Sequence, residues 1–340
     1  MTPRSLTPGH DWPTAPAEGA GVEERLHWYP EVARYAPSKH NTQPWRFVVR
    51  GRSLELWSDP RRALPDTDPL MRELVISCGA ALNHVEVAAH ALGHELGIEL
   101  LPEGGSSFLA RVVETGRFVP SHHDEALLAA VARRRTDRGP LDVTQLPPSL
   151  PFQLQSAAAV TGASLRLVAS AGDRATLRSL IERGDRVLVR DGRLDRELAR
   201  WLRSEHDLRP DGVPTDSSRG AAASYRAEFV QRDFSGTTGS AAHDRAGTDH
   251  PLLGVLCTTT DRVPDWLAAG RALSAVLLEA TTAGANASYL NQPIEVQSLR
   301  AELRSDLRLP GEPQLVLRIG AGGEVAPTPR RAVDEIRFQA

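Results

Sequence analysis

Apolar residues recur along the chain at two spacings, and each change of spacing marks a new element. In "ELVISCGAALNHVEVAAHALG", residues Leu74, Cys78, Ala81, Leu82, Val85, Ala89 and Leu92 fall on one stripe of a 3.6-residue period. That stripe predicts a helix with one side buried, and Gly93 follows it as a helix stop. "GRALSAVLLEATTAG", from Gly270 to Gly284, repeats the pattern. Shorter runs rich in β-branched, aromatic and other apolar residues predict strands: "WRFVV" from Trp45, "SLELWSD" from Ser53, "FLARVVET" from Phe108, "LRLVAS" from Leu165, "LLGVLCTTTD" from Leu252 and "QLVLRIG" from Gln314. "ATLRSLIERG" and "RLDRELARWLR" have helical spacing.

The two long stripes are related. Gly79 and Gly270 stand 191 residues apart, and the same offset pairs Ala81 with Ala272, Leu82 with Leu273, Val85 with Val276, Ala89 with Ala280 and Gly93 with Gly284. Shared composition accounts for part of this match. The neighbours extend it, because each half reads helix, strand, strand, central helix, strand. An internal duplication of this kind folds as one body with a pseudo-twofold axis, like a dimer fused into one chain. The expected halves are residues 23–120 and 121–340. Residues 1–22, rich in Pro, Gly, Thr and Ala, read as a disordered tail. The second half carries an extra region, roughly Asp173 to His250. Its poorly patterned part, residues 203–250, reads either as a lid over a binding site or as a solvated surface excursion.

Bulk composition narrows the function classes. The 340 residues are 41% hydrophobic and 24% charged, as in ordinary soluble proteins. A net charge of -3 provides no global field for nucleic acid. Lys39 is the only lysine among the 40 Lys and Arg residues, so a bound phosphate would meet guanidinium groups. Cys78 and Cys257 share no motif and read as buried thiols, with neither a disulfide framework nor a cysteine metal site. Asn83, His84, Glu86 and His90 interrupt the longest apolar stretch, which therefore reads as a buried helix and not as a membrane span. These features point to the cytoplasm, with no membrane partner. "SHHDE", from Ser121, reads as a linker or helix start, and no metal site is expected. The chain has no glycine-rich dinucleotide or P-loop motif and no Gly-x-Ser-x-Gly nucleophile motif.

The candidate chemistry begins at "APSKHNTQPWRFVV". Ser38, His40, Asn41, Thr42 and Gln43 crowd into a loop just before a buried strand. They must bond each other and the backbone, as Pro-Ser and Asn do in turns and caps, or hold a ligand. The stretch resembles the Pro-Ser-x-x-Asn-x-Gln-Pro-Trp signature of the FMN-dependent nitroreductase superfamily, through Pro37, Ser38, Asn41, Gln43, Pro44, Trp45, Arg46 and Phe47. "RRTDR", with Arg134, Arg135, Thr136 and Arg138, resembles the superfamily's basic run. "DPLMRELVISCGAAL", "YLNQPIEV" and "TPRRAV" resemble the Acg-type branch, in which two nitroreductase halves occupy one chain. The resemblance spans roughly residues 25–335.

The resemblance implies an α+β fold: a nitroreductase-like unit duplicated in one chain as an intramolecular pseudo-dimer, with mixed, mainly antiparallel sheets and long central helices. It implies non-covalent FMN. Arg134, Arg135, Arg138, Arg330 and Arg331, with the Thr136 hydroxyl, would meet the phosphate. Pro37, Ser38, Asn41 and Gln43 would meet the ribityl chain, which needs short groups that donate and accept. Tyr289, Leu290 and Asn291 would wall the flavin edge. The second-half counterpart of the Pro-Ser loop, "AAAVTGASLRLV", lacks its Pro, Asn and Gln, so one complete site per chain is expected between the halves. The flavin would carry the chemistry, leaving no side chain as a catalytic acid or base. The implied function is an oxidoreductase passing hydride from NAD(P)H to FMN and then to a nitroaromatic, a quinone or a similar acceptor. The alternative is a protein that stores FMN under a lid. Either way the expected form is a monomer with an internal pseudo-twofold, or a weak homodimer.

Overall fold

Both apolar stripes form 20-residue helices, and these pack on each other at the centre of the molecule. The computed structural model describes residues 12–103, 107–204, 206–215, 228–229 and 249–338. Helix α1 (Val22–Ala33) leads into strands β1 (Trp45–Arg50) and β2 (Ser53–Ser58), central helix α2 (Arg72–Ala91), and strands β3 (His94–Leu100) and β4 (Phe108–Arg117). Then come α3 (His122–Arg133), α4 (Leu150–Val160), β5 (Ser164–Leu167), α5 (Ala171–Arg190) and α6 (Gly192–Trp201). Two short paired strands follow, β6 (Leu202–Arg203) and β7 (Val213–Pro214). The chain continues through β8 (Leu252–Thr258), the second central helix α7 (Val263–Thr282), β9 (Asn286–Tyr289), α8 (Gln292–Glu295), α9 (Gln297–Asp306) and β10 (Glu312–Gly320). It ends with α10 (Val333–Ile336) and β11 (Arg337–Phe338).

The fold is mixed α+β. One sheet runs β11-β1-β2-β4-β3 and the other β5-β8-β10-β9. Within the first, β1, β2, β4 and β3 pair antiparallel, as do all four strands of the second. The strand order is the same in both: first, second, fourth, third, with the central helix between the second and third. Each central helix is therefore followed by two strands where the apolar pattern indicated one. The additional strands, β3 and β9, lie at the sheet edges. Edge strands show little alternation because less of their surface is buried, and β9 is only four residues long.

One core unites the first sheet with α1 and α2, and a second unites the other sheet with α4 and α7. A third covers the outer face of the second sheet under α5 and α9. The central helices meet at the two offset-related glycines. A Cβ added at Gly79 would lie 2.4 Å from the Leu267 carbonyl oxygen. A Cβ added at Gly270 would lie 2.0 Å from the Ile76 carbonyl oxygen and 2.8 Å from Gly79 Cα. Only glycine permits this backbone-to-backbone approach.

Other expectations have clear outcomes. Cys78 and Cys257 are free and buried. Helix α2 is long and apolar enough to cross a membrane, but most of that stretch is buried inside the fold. Ser121 caps α3 through reciprocal bonds with Asp124, which makes "SHHDE" a helix start. Of the expected tail, residues 12–21 are described and form no helix or strand; Trp12 packs against Tyr35 with ring centroids 5.2 Å apart. Most of the expected lid, 203–250, lies outside the described residues, as do residues 1–11. The C-terminal segment positions the site. After β10 the chain returns to the first sheet, where β11 pairs parallel with β1. This return carries Arg330 and Arg331 to the Pro37–Pro44 loop.

Candidate functional site

Between α1 and β1 the chain makes a short, strained loop. Lys39–Asn41 form one 3-10 turn, and His40, Asn41 and Gln43 have φ of 49°, 54° and 49°. Three non-glycine residues in the left-handed region cost roughly 1–3 kcal/mol each and persist only where surrounding contacts fix them. Those contacts are present. Ser38 Oγ accepts from the Gln43 amide at 2.9 Å. Asn41 Nδ2 donates to the Pro329 carbonyl at 3.1 Å, and Asn41 Oδ1 accepts from Arg330 Nη1 at 3.1 Å. Gln43 Oε1 accepts from the Arg331 amide at 2.8 Å, and Gln43 Nε2 donates to the Pro210 carbonyl at 2.8 Å. The loop is thus held by the C-terminal return and by the segment before β7.

The basic run follows α3. Its backbone docks on the edge of β9, with the Asp137 amide donating to the Ala287 carbonyl at 2.9 Å beside a parallel bridge from Thr136 to Ala287. Arg134 and Arg330, from opposite ends of the second half, converge. Their Nη2 atoms lie 3.3 and 3.4 Å from the same acceptor, the Tyr35 carbonyl. Neither guanidinium pairs with a carboxylate among the described residues. The Nε atoms of both are buried without a hydrogen-bond partner. Burial pushes Arg134 below the ordinary arginine value. Burial and the Arg134 and Arg135 charges push Arg330 down to about 9. Burial pushes Arg138 down to about 10, with Tyr289 and Asp137 acting in the opposite direction. The like charges of Arg134 and Arg330, with no carboxylate partner among the described residues, are costly on their own and well suited to an anion.

These elements enclose a cavity of about 1290 Å3, open mouth included. Pro37, Ser38 and Asn41 line it from the loop, and Arg134, Thr136, Arg138 and Arg330 line it from the basic run and the C-terminal return. Tyr289 and Asn291 line the β9 end, and Ile76, Leu273 and Leu315 supply apolar surface from α2, α7 and β10. Asn291 Oδ1 also accepts from the Val316 amide at 2.9 Å, which fixes its side chain. Val213, at the start of the expected lid region, completes the wall.

Four residues expected at the cofactor do not line this cavity. Leu290, just past the end of β9, is fully buried in the outer core, whereas Tyr289 lines the cavity. Arg331 is absent from the cavity lining and donates to the Gln43 carbonyl at 3.0 Å. Gln43 is fully buried and ties the loop together, as described above. Arg135 Nη1 donates to the Ala132 and Arg134 carbonyls, both at 2.8 Å, at the end of α3. In the other direction, the apolar and polar patterns missed Lys39, Glu73 and Glu295, all three of which line the cavity. Lys39 carried one available signal, as the single lysine in an arginine-rich chain.

No family model matches the chain. Curated relatives do, over nearly its full length. A Mycobacterium tuberculosis protein provisionally named an NAD(P)H nitroreductase is 33% identical over 339 residues, 95% of this chain and 96% of its own. A second from that organism, an uncharacterized protein, is 32% identical over 317 residues, 90% of each chain. A third, provisionally named the NAD(P)H nitroreductase Acg, is 31% identical over 314 residues, 90% of this chain and 93% of its own.

Proposed function

Because the chain belongs to the NAD(P)H nitroreductase family, in its Acg-type branch, we propose that it is an FMN-dependent oxidoreductase that moves hydride from NADH or NADPH to a small acceptor such as a nitroaromatic or a quinone. The supporting observation is the Arg134–Arg330 pair. A buried and a half-buried guanidinium group meet at one carbonyl, have no carboxylate partner among the described residues, and line a cavity together with Ser38 and Asn41.

This donor set fits FMN. Arg134, Arg330 and Arg138 would neutralise the dianionic phosphate, with Thr136 adding a hydroxyl donor. Ser38 and Asn41 offer the small polar groups that a ribityl chain requires. Ile76, Leu273 and Leu315 provide apolar wall for a flat ring. When bound, the flavin supplies two-electron redox chemistry. The protein's part is to cancel the phosphate charge, orient the nucleotide and keep water from the apolar walls.

The polar wall belongs to residues 23–120 and the guanidinium wall to residues 121–340. A tandem duplication folded as an internal pseudo-dimer accounts for that division, with one FMN site at the seam. Identical strand order in the two sheets and the mutual contact of Gly79 and Gly270 support the duplication.

The test is spectroscopic. Chain saturated with FMN is mixed anaerobically with NADH or NADPH, and loss of the visible flavin absorption is expected within one turnover. Addition of a quinone then restores it. A flavin that neither nicotinamide bleaches contradicts the reductase reading and favours storage.

A further inference from the structure

We propose that Lys39, Glu73 and Glu295 form a cluster that supplies the proton an acceptor needs alongside its hydride, an inference that rests on the reductase reading above. Lys39 Nζ lies 3.2 Å from Glu73 Oε2 and 3.3 Å from Glu295 Oε1, and donates to the Thr67 carbonyl at 3.3 Å. The three side chains are no more than 7% exposed, and all three residues line the cavity. They come from separate elements: the strained loop, the first turn of α2 and the end of α8.

The choice of lysine carries information. Every other one of the 40 Lys and Arg residues is arginine. Arginine makes the better buried ion pair with two carboxylates, and in the same surroundings an ammonium gives up its proton more readily than a guanidinium. The one position where the chain departs from arginine is a buried cation inside the cavity.

The groups around Glu73 keep a proton close. Arg72 Nη2 lies 3.0 Å from Glu73 Oε1, Lys39 faces its other oxygen, and the Glu295 and Asp68 carboxylates oppose its negative charge. Burial, acting more strongly than Lys39 and Arg72, raises the Glu73 carboxyl above the ordinary glutamate value.

The reaction has a matching requirement. A quinone that accepts one hydride becomes an oxyanion, and it leaves as neutral hydroquinone only when one O–H bond forms. The cluster breaks one N–H or O–H bond to supply that proton, and water at the open side of the cavity returns it. The electron pair comes from the nicotinamide named above. A cluster that merely pins the 37–44 loop to α2 and α8 would have no such link to proton delivery.

A single lysine makes the test direct. Full-length protein containing lysine labelled with 13C at Cε has one lysine side-chain resonance, which needs no assignment. With or without FMN, that resonance is expected to step as pH rises above the ordinary glutamate range, where the Glu73 carboxyl titrates, and Glu73→Gln removes that step. A resonance without a step in the folded native chain overturns the cluster. In the FMN-loaded enzyme, Lys39→Met and Glu73→Gln are compared using a quinone and using ferricyanide, which takes up electrons without a proton. The ratio of quinone rate to ferricyanide rate is expected to fall about 100-fold. Equal losses with both acceptors overturn the proton role. Glu295→Gln provides the same ratio if either variant fails to fold. Failure of the reductase reading appears elsewhere, as flavin that neither nicotinamide bleaches.

Discussion

Replacing Arg330 with methionine should stabilise the cofactor-free chain and weaken FMN binding. Arg330 shares the Tyr35 carbonyl with Arg134, and its Nε is buried without a partner. Its folded-state value near 9 lies well below the ordinary 12.5. At 1.36 kcal/mol per pKa unit that gap is an upper bound of about 5 kcal/mol against the charged form, reduced because the half-buried side chain keeps some contact with solvent. A base whose folded value is depressed destabilises the fold while both states are protonated. The penalty is therefore present at neutral pH and fades as pH rises from about 9 towards the unfolded value. Arg330→Met also removes bonds to Asn41 Oδ1 and to the Thr328 and Pro329 carbonyls, which offset part of the gain. A net stabilisation of about 1–3 kcal/mol is expected in urea unfolding of cofactor-free protein at neutral pH. Losing a charge-assisted phosphate contact costs about 1.5–3 kcal/mol, or roughly 10–150-fold in FMN affinity. Riboflavin, which has no phosphate, should bind variant and native chains about equally. Fluorescence titration with both flavins separates these effects. A variant that is less stable than the native chain and still prefers FMN to riboflavin by the native margin would refute the assignment of Arg330 to the phosphate.

Gly270→Ala places a methyl group 2.0 Å from the Ile76 carbonyl oxygen and forces α2 and α7 apart. Overpacking of this kind should cost about 3 kcal/mol, seen as a lower urea midpoint. Glu114 is bound by Tyr29 Oη at 2.7 Å and by Arg25 Nε at 2.8 Å, and the Arg25 and Tyr29 bonds hold its carboxyl below the ordinary value despite burial. Its contribution is full above the unfolded glutamate value and is lost as pH falls through the lower folded value. Glu114→Gln should therefore cost about 1–2 kcal/mol at neutral pH, with the difference shrinking in acid.

Much of this molecule could be read from apolar spacing because the relevant residues are buried on one side. "WRFVV" and "QLVLRIG" lie within β1 and β10, and the stripes from Leu74 and Gly270 lie within α2 and α7 or at their ends. β3 and β9 escaped notice because edge strands bury too little surface to impose alternation. At the site, the Pro-Ser loop, the basic run and the "TPRRAV" segment pointed to Ser38, Asn41, Arg134, Thr136, Arg138 and Arg330, which all line one cavity. Leu290 and Arg331 do not line that cavity, because a motif names neighbouring residues together and does not record which of their side chains the fold buries in a core or ties to a loop. Lys39, Glu73 and Glu295 were missed because their ion pairs join residues as far as 256 positions apart, a relation no local pattern records.

Calorimetric titration of the cofactor-free chain with FMN tests the seam site most directly. One FMN per chain is expected, with binding reduced when either Asn41 or Arg134 is replaced by alanine. Two equivalents per chain, or one equivalent whose affinity is indifferent to both replacements, would contradict a single nucleotide held between the Pro37–Pro44 loop and the Arg134–Arg330 pair.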